Sequence, residues 1–179
     1  MVSSNLMHGN MKTTPRGTAP EAAEAIEPLR LESFLPYRLN VLAAEVSHTL
    51  ARSYGERFGI SIPEWRVLAT LGQFGVITAR DVGRHSRMHK TTVSRAVAAL
   101  ERRTFVQRRA NRADLREAFL ALTEPGRQVY FEIVPMARAF SERICAGLDA
   151  GERAQLESLI DRLLAEVDGA AWRDGDAAR

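Results

Sequence analysis

The feature that most constrains this chain is the order of start, stop and alternation signals in its middle third. Ser61-Ile-Pro-Glu64 reads as a capping box with proline just inside a helix start, and Thr78-Ala-Arg-Asp81 reads as a second box. In each, a hydroxyl accepts from a backbone N–H that has no partner inside the helix, while a later carboxylate reaches back to the cap residue. The first box predicts a helix over 62–73 that buries Trp65, Leu68 and Leu71 and breaks at Gly75. The second predicts a short helix ending near His85. A few polar residues later, the stretch 90–103 puts Val93, Val97 and Leu100 on one side and Lys90, Thr91, Ser94 and Arg95 on the other, at helical spacing. Residues 105–109 and 116–122 then alternate as strands, the second setting Ala118, Leu120 and Leu122 against Phe119 and Ala121. The polar turn 110–114 between them makes the pair a hairpin.

Helices flank this unit on both sides. Before it, Leu35, Leu39, Leu42, Val46, Leu50, Tyr54 and Phe58 form one apolar stripe that stops at Gly59. After it, Thr123-Glu-Pro-Gly126 opens a long helix striped by Val129, Ile133, Met136, Phe140, Ile144 and Leu148. Asp149-Ala-Gly-Glu152 caps a last helix bearing Leu156, Leu159, Ile160, Leu163, Leu164 and Val167. These terminal stripes exceed what one small helical unit can cover, so two copies of the chain are expected to bury them against each other. Residues 1–32, rich in Gly, Pro, Ser, Thr, Ala and Glu, read as a flexible tail, and 169–179 as a frayed end.

Charge is distributed unevenly over this plan. The whole chain of 179 residues carries only +3. From Arg84 to Arg116, however, ten basic residues (Arg84, Arg87, Lys90, Arg95, Arg102, Arg103, Arg108, Arg109, Arg112 and Arg116) face only Glu101 and Asp114. That segment is +8, which leaves −5 on the rest of the chain. A small net charge excludes a bulk polycation, and the dense local field points to a polyanion-binding face. The single cysteine, Cys145, excludes a disulfide scaffold and is expected to be an inert thiol on a packed helix. No apolar run approaches the ~20 residues of a membrane helix. The opening MVSSNLMHGNMKTT lacks an apolar signal core, so a cytoplasmic setting without membrane partners is expected.

A short helix, a tight turn and a second helix with polar tips is the helix-turn-helix pattern, whose second helix fits the major groove of DNA. Base edges and phosphates require hydroxyl donors and long cations there, and Lys90, Thr91, Thr92, Ser94 and Arg95 supply them. The hairpin would be a wing, with Arg109 and Arg112 near its tip suited to a narrow minor groove.

Over about residues 35–167 the chain resembles the MarR (multiple antibiotic resistance regulator) family. The matching stretches are IPEWRVLATLGQFG, TTVSRAVAALERRTFVQRR and DLREAFLALTEPGR. The last holds the Asp-x-Arg and Leu-Thr-x-x-Gly pattern of that family's wing, here Asp114, Arg116, Leu122, Thr123 and Gly126. The resemblance implies a mainly α fold with a small β-hairpin wing. In it, a winged helix-turn-helix (about 61–123) is joined to intertwined N- and C-terminal dimerisation helices (about 34–58 and 124–168). It implies a homodimeric repressor on a palindromic operator, released by a small ligand. Asp114 and Arg116 would brace the wing against the recognition helix or reach DNA. One departure is His89, a poorer helix cap than the acidic or hydroxyl residue frequent there.

In this family a ligand pocket lies between the dimerisation helices and the winged unit. The chain offers Tyr37 and Arg38 early in the first helix, Ser47 and His48 one face later, and Trp65 as an aromatic wall. An arginine beside aromatics suits a small aromatic carboxylate, and the Tyr-Arg-Leu segment resembles members that respond to aromatic acids or their thioesters. His85 and His89 have the spacing of a metal pair but sit among Arg84, Arg87 and Lys90, which repel a cation, so neither metal nor cofactor is expected. No Ser/His/Asp set, phosphate loop or carboxylate pair suggests an enzyme. The competing expectation is an architectural DNA-binding protein without an effector.

Overall fold

The structure is a computed structural model that describes residues 27–110 and 117–169. Most of the predicted tail, the hairpin tip with Arg112, Asp114 and Arg116, and residues 170–179 lie outside the described residues. The chain divides into two compact units, one ending at Arg38 and one starting at Leu39.

Helix α1 spans Leu35–Phe58 and α2 spans Ile62–Phe74. Strand β1 (Ile77–Thr78) leads into α3 (Ala79–Ser86) and α4 (Lys90–Arg102). Strands β2 (Val106–Ala110) and β3 (Ala118–Leu122) precede α5 (Glu124–Ile144) and α6 (Ala150–Gly169). Both predicted boxes form. Glu64 N–H donates to Ser61 Oγ at 3.4 Å and Ser61 N–H to Glu64 Oε2 at 2.8 Å. At α3, Asp81 N–H donates to Thr78 Oγ1 at 3.2 Å, and the Thr78 hydroxyl donates to Asp81 Oδ2 at 2.8 Å. Asp149 and Glu152 reciprocate at α6, both bonds at 2.9 Å.

The sheet has three strands, in the order β1-β3-β2, all antiparallel. Sequence patterning predicts only the hairpin, in which Val106 opposes Leu122 and Arg108 opposes Leu120. Strand β1 adds Ile77 opposite Leu120 and Thr78 opposite Phe119. It is too short to show alternation, and Thr78 serves at once as its last residue and as the cap of α3.

The core gathers one face from each of α1 to α5 and from the sheet, while, among the described residues, α6 adds nothing to it. Tyr54, Leu68, Leu71, Val82, Val93, Val97, Leu100, Leu120 and Ile133 are all buried. The terminal stripes behave differently along their length. Tyr54, Ile133 and Phe140 are buried, whereas Leu35, Leu39, Leu42, Ile144, Leu156, Leu159, Ile160, Leu163, Leu164 and Val167 stay 41–71% exposed. Cys145 corrects one expectation: it is the half-buried C-cap of α5 rather than a residue packed within the helix.

The Leu-Thr-x-x-Gly pattern has a visible physical basis. Thr123 N–H donates to the Phe105 carbonyl at 3.0 Å, and its hydroxyl donates to the Thr104 carbonyl while accepting from Gly126 N–H at 3.1 Å. A Cβ on Gly126 would lie 1.9 Å from the Phe105 oxygen. Only glycine lets the start of α5 lie against the backbone that enters β2. Gly126→Ala should therefore destabilise the fold by about 2 kcal/mol, as overpacking of a rigid contact does. Denaturant unfolding checks this, and an unchanged midpoint would show that the backbone contact is not as tight as described.

Candidate nucleic-acid interface

The two faces of α4 set the character of the site. Val93, Ala96, Val97 and Leu100 pack into the core, which turns Lys90, Thr91, Ser94 and Arg95 outward, all exposed. Thr92 is half-buried and so stands off the open face. His89 does act as the cap despite its poor propensity. Its Nδ1 accepts from Thr91 N–H at 3.5 Å and lies 3.0 Å from Thr91 Oγ1. The turn before it is closed by Met88 N–H donating to the Gly83 carbonyl at 3.0 Å, with Arg87 in the left-handed region at φ 53°.

The basic run separates into residues with internal work and residues free of it. Arg103 leaves the interface: it donates to the Gly59 carbonyl at 2.9 Å and to the Phe58 carbonyl, and lies over the Phe105 ring at 4.6 Å. It thus ties the end of α1 to the start of the wing. Arg84 pairs with Asp81 at 2.9 Å, Arg108 with Glu101 at 2.8 Å, and Arg87 with Asp168 at 2.9 Å. Among the described residues, Lys90 and Arg95 form no ion pair.

Between α3, α4 and the wing strands lies a cleft of about 610 Å³. Its floor is Met88, Val93, Val97 and Ala118, and its rim carries Arg80, Arg84, Lys90, Ser94 and Arg108. Arg80 reaches Glu117 at 2.7 Å, linking α3 to the stretch that enters β3. Strand alternation puts Arg108 on this cleft, whereas its neighbour Arg109 lines a smaller hollow of about 230 Å³ with Val76, Arg127, Tyr130 and Phe131. The sequence places Arg84, Arg108 and Arg109 in one basic run without separating their faces, and Arg80 lies before that run. The strand period held that signal, once α4 was known to face one side of β2.

The effector candidates fall in different places. Tyr37 and Arg38 are in the first unit and exposed. In the second unit His48 is exposed, and Ser47 Oγ accepts from Arg66 at 3.4 Å. Trp65 is half-buried between Tyr54, at 5.6 Å between ring centroids, and Tyr130, at 6.2 Å and nearly parallel. Burial pushes the Tyr54 hydroxyl up to about 12, against an opposing pull from Arg66. Tyr130 was not foreseen; it rests flat on α2 because Gly72 has no side chain where the ring lies. His85 stacks on Phe74 at 3.9 Å, so both histidines of the spaced pair have other contacts.

The model of the MarR family matches residues 60–118, the stretch from the end of the α1–α2 connection to the start of β3. A MarR-family transcriptional regulator from Silicibacter pomeroyi has a solved structure that superposes with a TM-score of 0.66 at 27% identity. That match covers 77% of this chain and 92% of the other. Residues 60–118 form a MarR-family domain. Among curated relatives, the HTH-type transcriptional regulator YwoH of Bacillus subtilis is 32% identical over 51% of this chain and 66% of its own length. The transcriptional repressor MprA of Escherichia coli is 30% identical over 44% of this chain and 45% of its own length. The chain therefore spans less than two thirds of either curated relative. The MarR family and these relatives are transcriptional regulators, not enzymes. Among the described residues, no helix is long and apolar enough to cross a membrane.

The cap of α3 holds the front of this MarR-type unit, and its stability depends on pH. The Thr78 hydroxyl, with the Thr78 backbone N–H and Arg84 adding to it, holds the Asp81 carboxyl below its ordinary value. A carboxylate depressed by folding stabilises above its unfolded value of about 3.9 and loses that contribution as pH falls through the folded value. Wild type should thus be more stable than Asp81→Asn at pH 7, and the gap should close as pH falls below ~4. Denaturant midpoints at both pH values measure this; a gap independent of pH would remove the charged cap from the account.

Proposed function

We propose that this chain is a homodimeric transcriptional repressor that binds a palindromic duplex and is released by a small aromatic acid or its thioester. One observation carries the DNA-binding part. The outward face of α4, with Lys90, Thr91, Ser94 and Arg95, borders a cleft whose rim is cationic and whose far wall is the wing. Such a helix enters the major groove, and the phosphate backbone then runs between helix and wing. The hydroxyls and Arg95 read base edges or phosphates, with Thr92 secondary to Thr91. Arg108 and Arg80 face the backbone in the cleft, and Arg109 with Arg112 and Arg116 serve the wing, braced by Asp114. Repression is supported by the relation to MprA, itself a repressor. The uncovered leucines of α1 and α6 support a second copy as the partner.

The binding assignment is tested on a duplex enriched from a random-sequence library by the wild-type protein. Arg95→Ala and Arg116→Ala should each weaken binding by about 1–3 kcal/mol if they read bases, or lower the salt slope by about 1 if they hold phosphates. Unchanged affinity for both at physiological salt would sink the interface as drawn. Equal affinity for the enriched and a scrambled duplex would favour an architectural protein instead.

The effector assignment rests on Arg38 and Tyr37 near the start of α1, and His48 and Trp65 of the second unit are separate candidates. A guanidinium beside aromatic rings recognises a planar carboxylate by paired charge-assisted bonds. A thermal-shift screen of aromatic acids and their coenzyme A thioesters should return a ligand that raises the melting temperature and releases DNA. Arg38→Ala should abolish both effects. A screen without such a ligand, or one indifferent to Arg38→Ala, would overturn this assignment and leave the DNA interface standing.

A further inference from the structure

We propose that Arg87 is a phosphate-binding residue of the DNA interface and that Asp168, at the far end of α6, competes with DNA for it. The inference rests on the DNA-binding reading above and adds an internal competitor to it. Arg87 lies in the turn between α3 and α4, just before the first residues of the recognition helix. Its guanidinium grips Asp168 with both arms, Nη1 to Oδ1 at 3.3 Å and Nη2 to Oδ2 at 2.9 Å, across 81 positions of sequence.

The pair is not what shapes the turn. Arg87 and Met88 backbone N–H groups bond to the Gly83 carbonyl, which sets the left-handed residue without help from its side chain. Nor is the pair a buried strut, because the Arg87 and Asp168 side chains are 74% and 56% exposed. Exposed ion pairs add little to stability, since both partners keep most of their hydration. What remains is the effect on the charge that the turn presents. The Arg87 guanidinium is one of the ten cations of the basic run, and Asp168 cancels it at the edge of the recognition helix.

A phosphate offers the same forked oxygen geometry as the carboxylate, so the two are interchangeable partners for one guanidinium. Exchange onto DNA also releases a condensed counterion, which a carboxylate partner does not provide. The competitor sits badly for DNA in a second way. The last turn of α6 has no basic residue, so Asp168 adds its charge to the negative end of a helix dipole. The α6 helix that bears Asp168 also carries leucines that are uncovered in the single chain. Any shift of α6 against a partner copy therefore moves the competitor relative to the helix-turn-helix.

The test uses the full chain and the duplex enriched by the wild-type protein. Asp168→Asn should tighten binding roughly fivefold at low salt, where surface charges are least screened. Arg87→Gln should weaken it several-fold and lower the salt slope by about 1. In the double variant the gain from Asp168→Asn should vanish, because the competitor then has nothing to hold. Melting temperatures should stay level, as neither side chain is buried. Asp168→Asn inert in DNA binding would overturn the proposal, and so would an equal gain in the Arg87→Gln background, which would mean plain removal of negative charge. Both results leave wild-type preference for the enriched duplex intact. Loss of that preference in wild type itself would instead bring down the DNA-binding reading and this proposal with it.

Discussion

The interface depends on β3 being paired along both edges. Leu120 is fully buried and opposes Ile77 on one side and Arg108 on the other. Strand β1 runs straight into the capped start of α3, so this register sets the position of the helix-turn-helix against the wing. Thr78 shows how tightly the parts are joined: its backbone belongs to the sheet, and its hydroxyl opens α3. At the other end of β3, Thr123 and Gly126 seat α5 on the Thr104 and Phe105 carbonyls. One strand thus positions the recognition helix, the wing and the first long helix beyond them. A register slip by one residue would exchange Arg108 for Arg109 on the cleft and reverse the faces of the wing.

Local signals were legible in the sequence and long-range partners were not. The caps at Ser61, Thr78, Thr123 and Asp149 could be read directly because each is closed within a few residues by its own neighbours. The faces of α4 were legible for the same reason, since helical spacing alone separates Val93 and Val97 from Lys90 and Ser94. Strand β1 was not, because two residues carry no period and its stabilising partner lies beyond two helices. The fate of individual arginines was also hidden. Arg103 reads as one more cation of the run, yet its place beside the last carbonyls of α1 makes it a cap for another element. Tyr130 was invisible as a neighbour of Trp65 until Gly72 proved to be the gap that admits its ring.

The basic run is therefore better described as a graded field than as a uniform +8. Arg103 is taken up by main-chain carbonyls, while Arg84, Arg87 and Arg108 each face a carboxylate. Among the described residues, Lys90 and Arg95 on the open face have no carboxylate partner. Pairing does not remove the other cations from reach, because exposed pairs exchange readily with a stronger or more numerous anion. It does lower the field felt at a distance, which restrains indiscriminate attraction to polyanions. The acidic remainder of the chain acts in the same direction, so that in the proposed complex charge alone does not decide which duplex is held.

The terminal helices leave much of their apolar surface uncovered in the single chain. Leu156, Leu159, Ile160, Leu163 and Leu164 lie 41–53% exposed along one helix, with Leu39 and Leu42 similarly open on another. Burying such side chains contributes about 1.5–3 kcal/mol each when they are fully covered. An apolar patch of this extent marks a surface that another surface covers. The same α6 carries Asp168 in its last turn, in contact with the turn before the recognition helix. In the proposed dimer, covering the leucines holds the helix whose Asp168 pairs with Arg87. The seam between copies in that proposed dimer and the proposed DNA contact of Arg87 meet at one helix end.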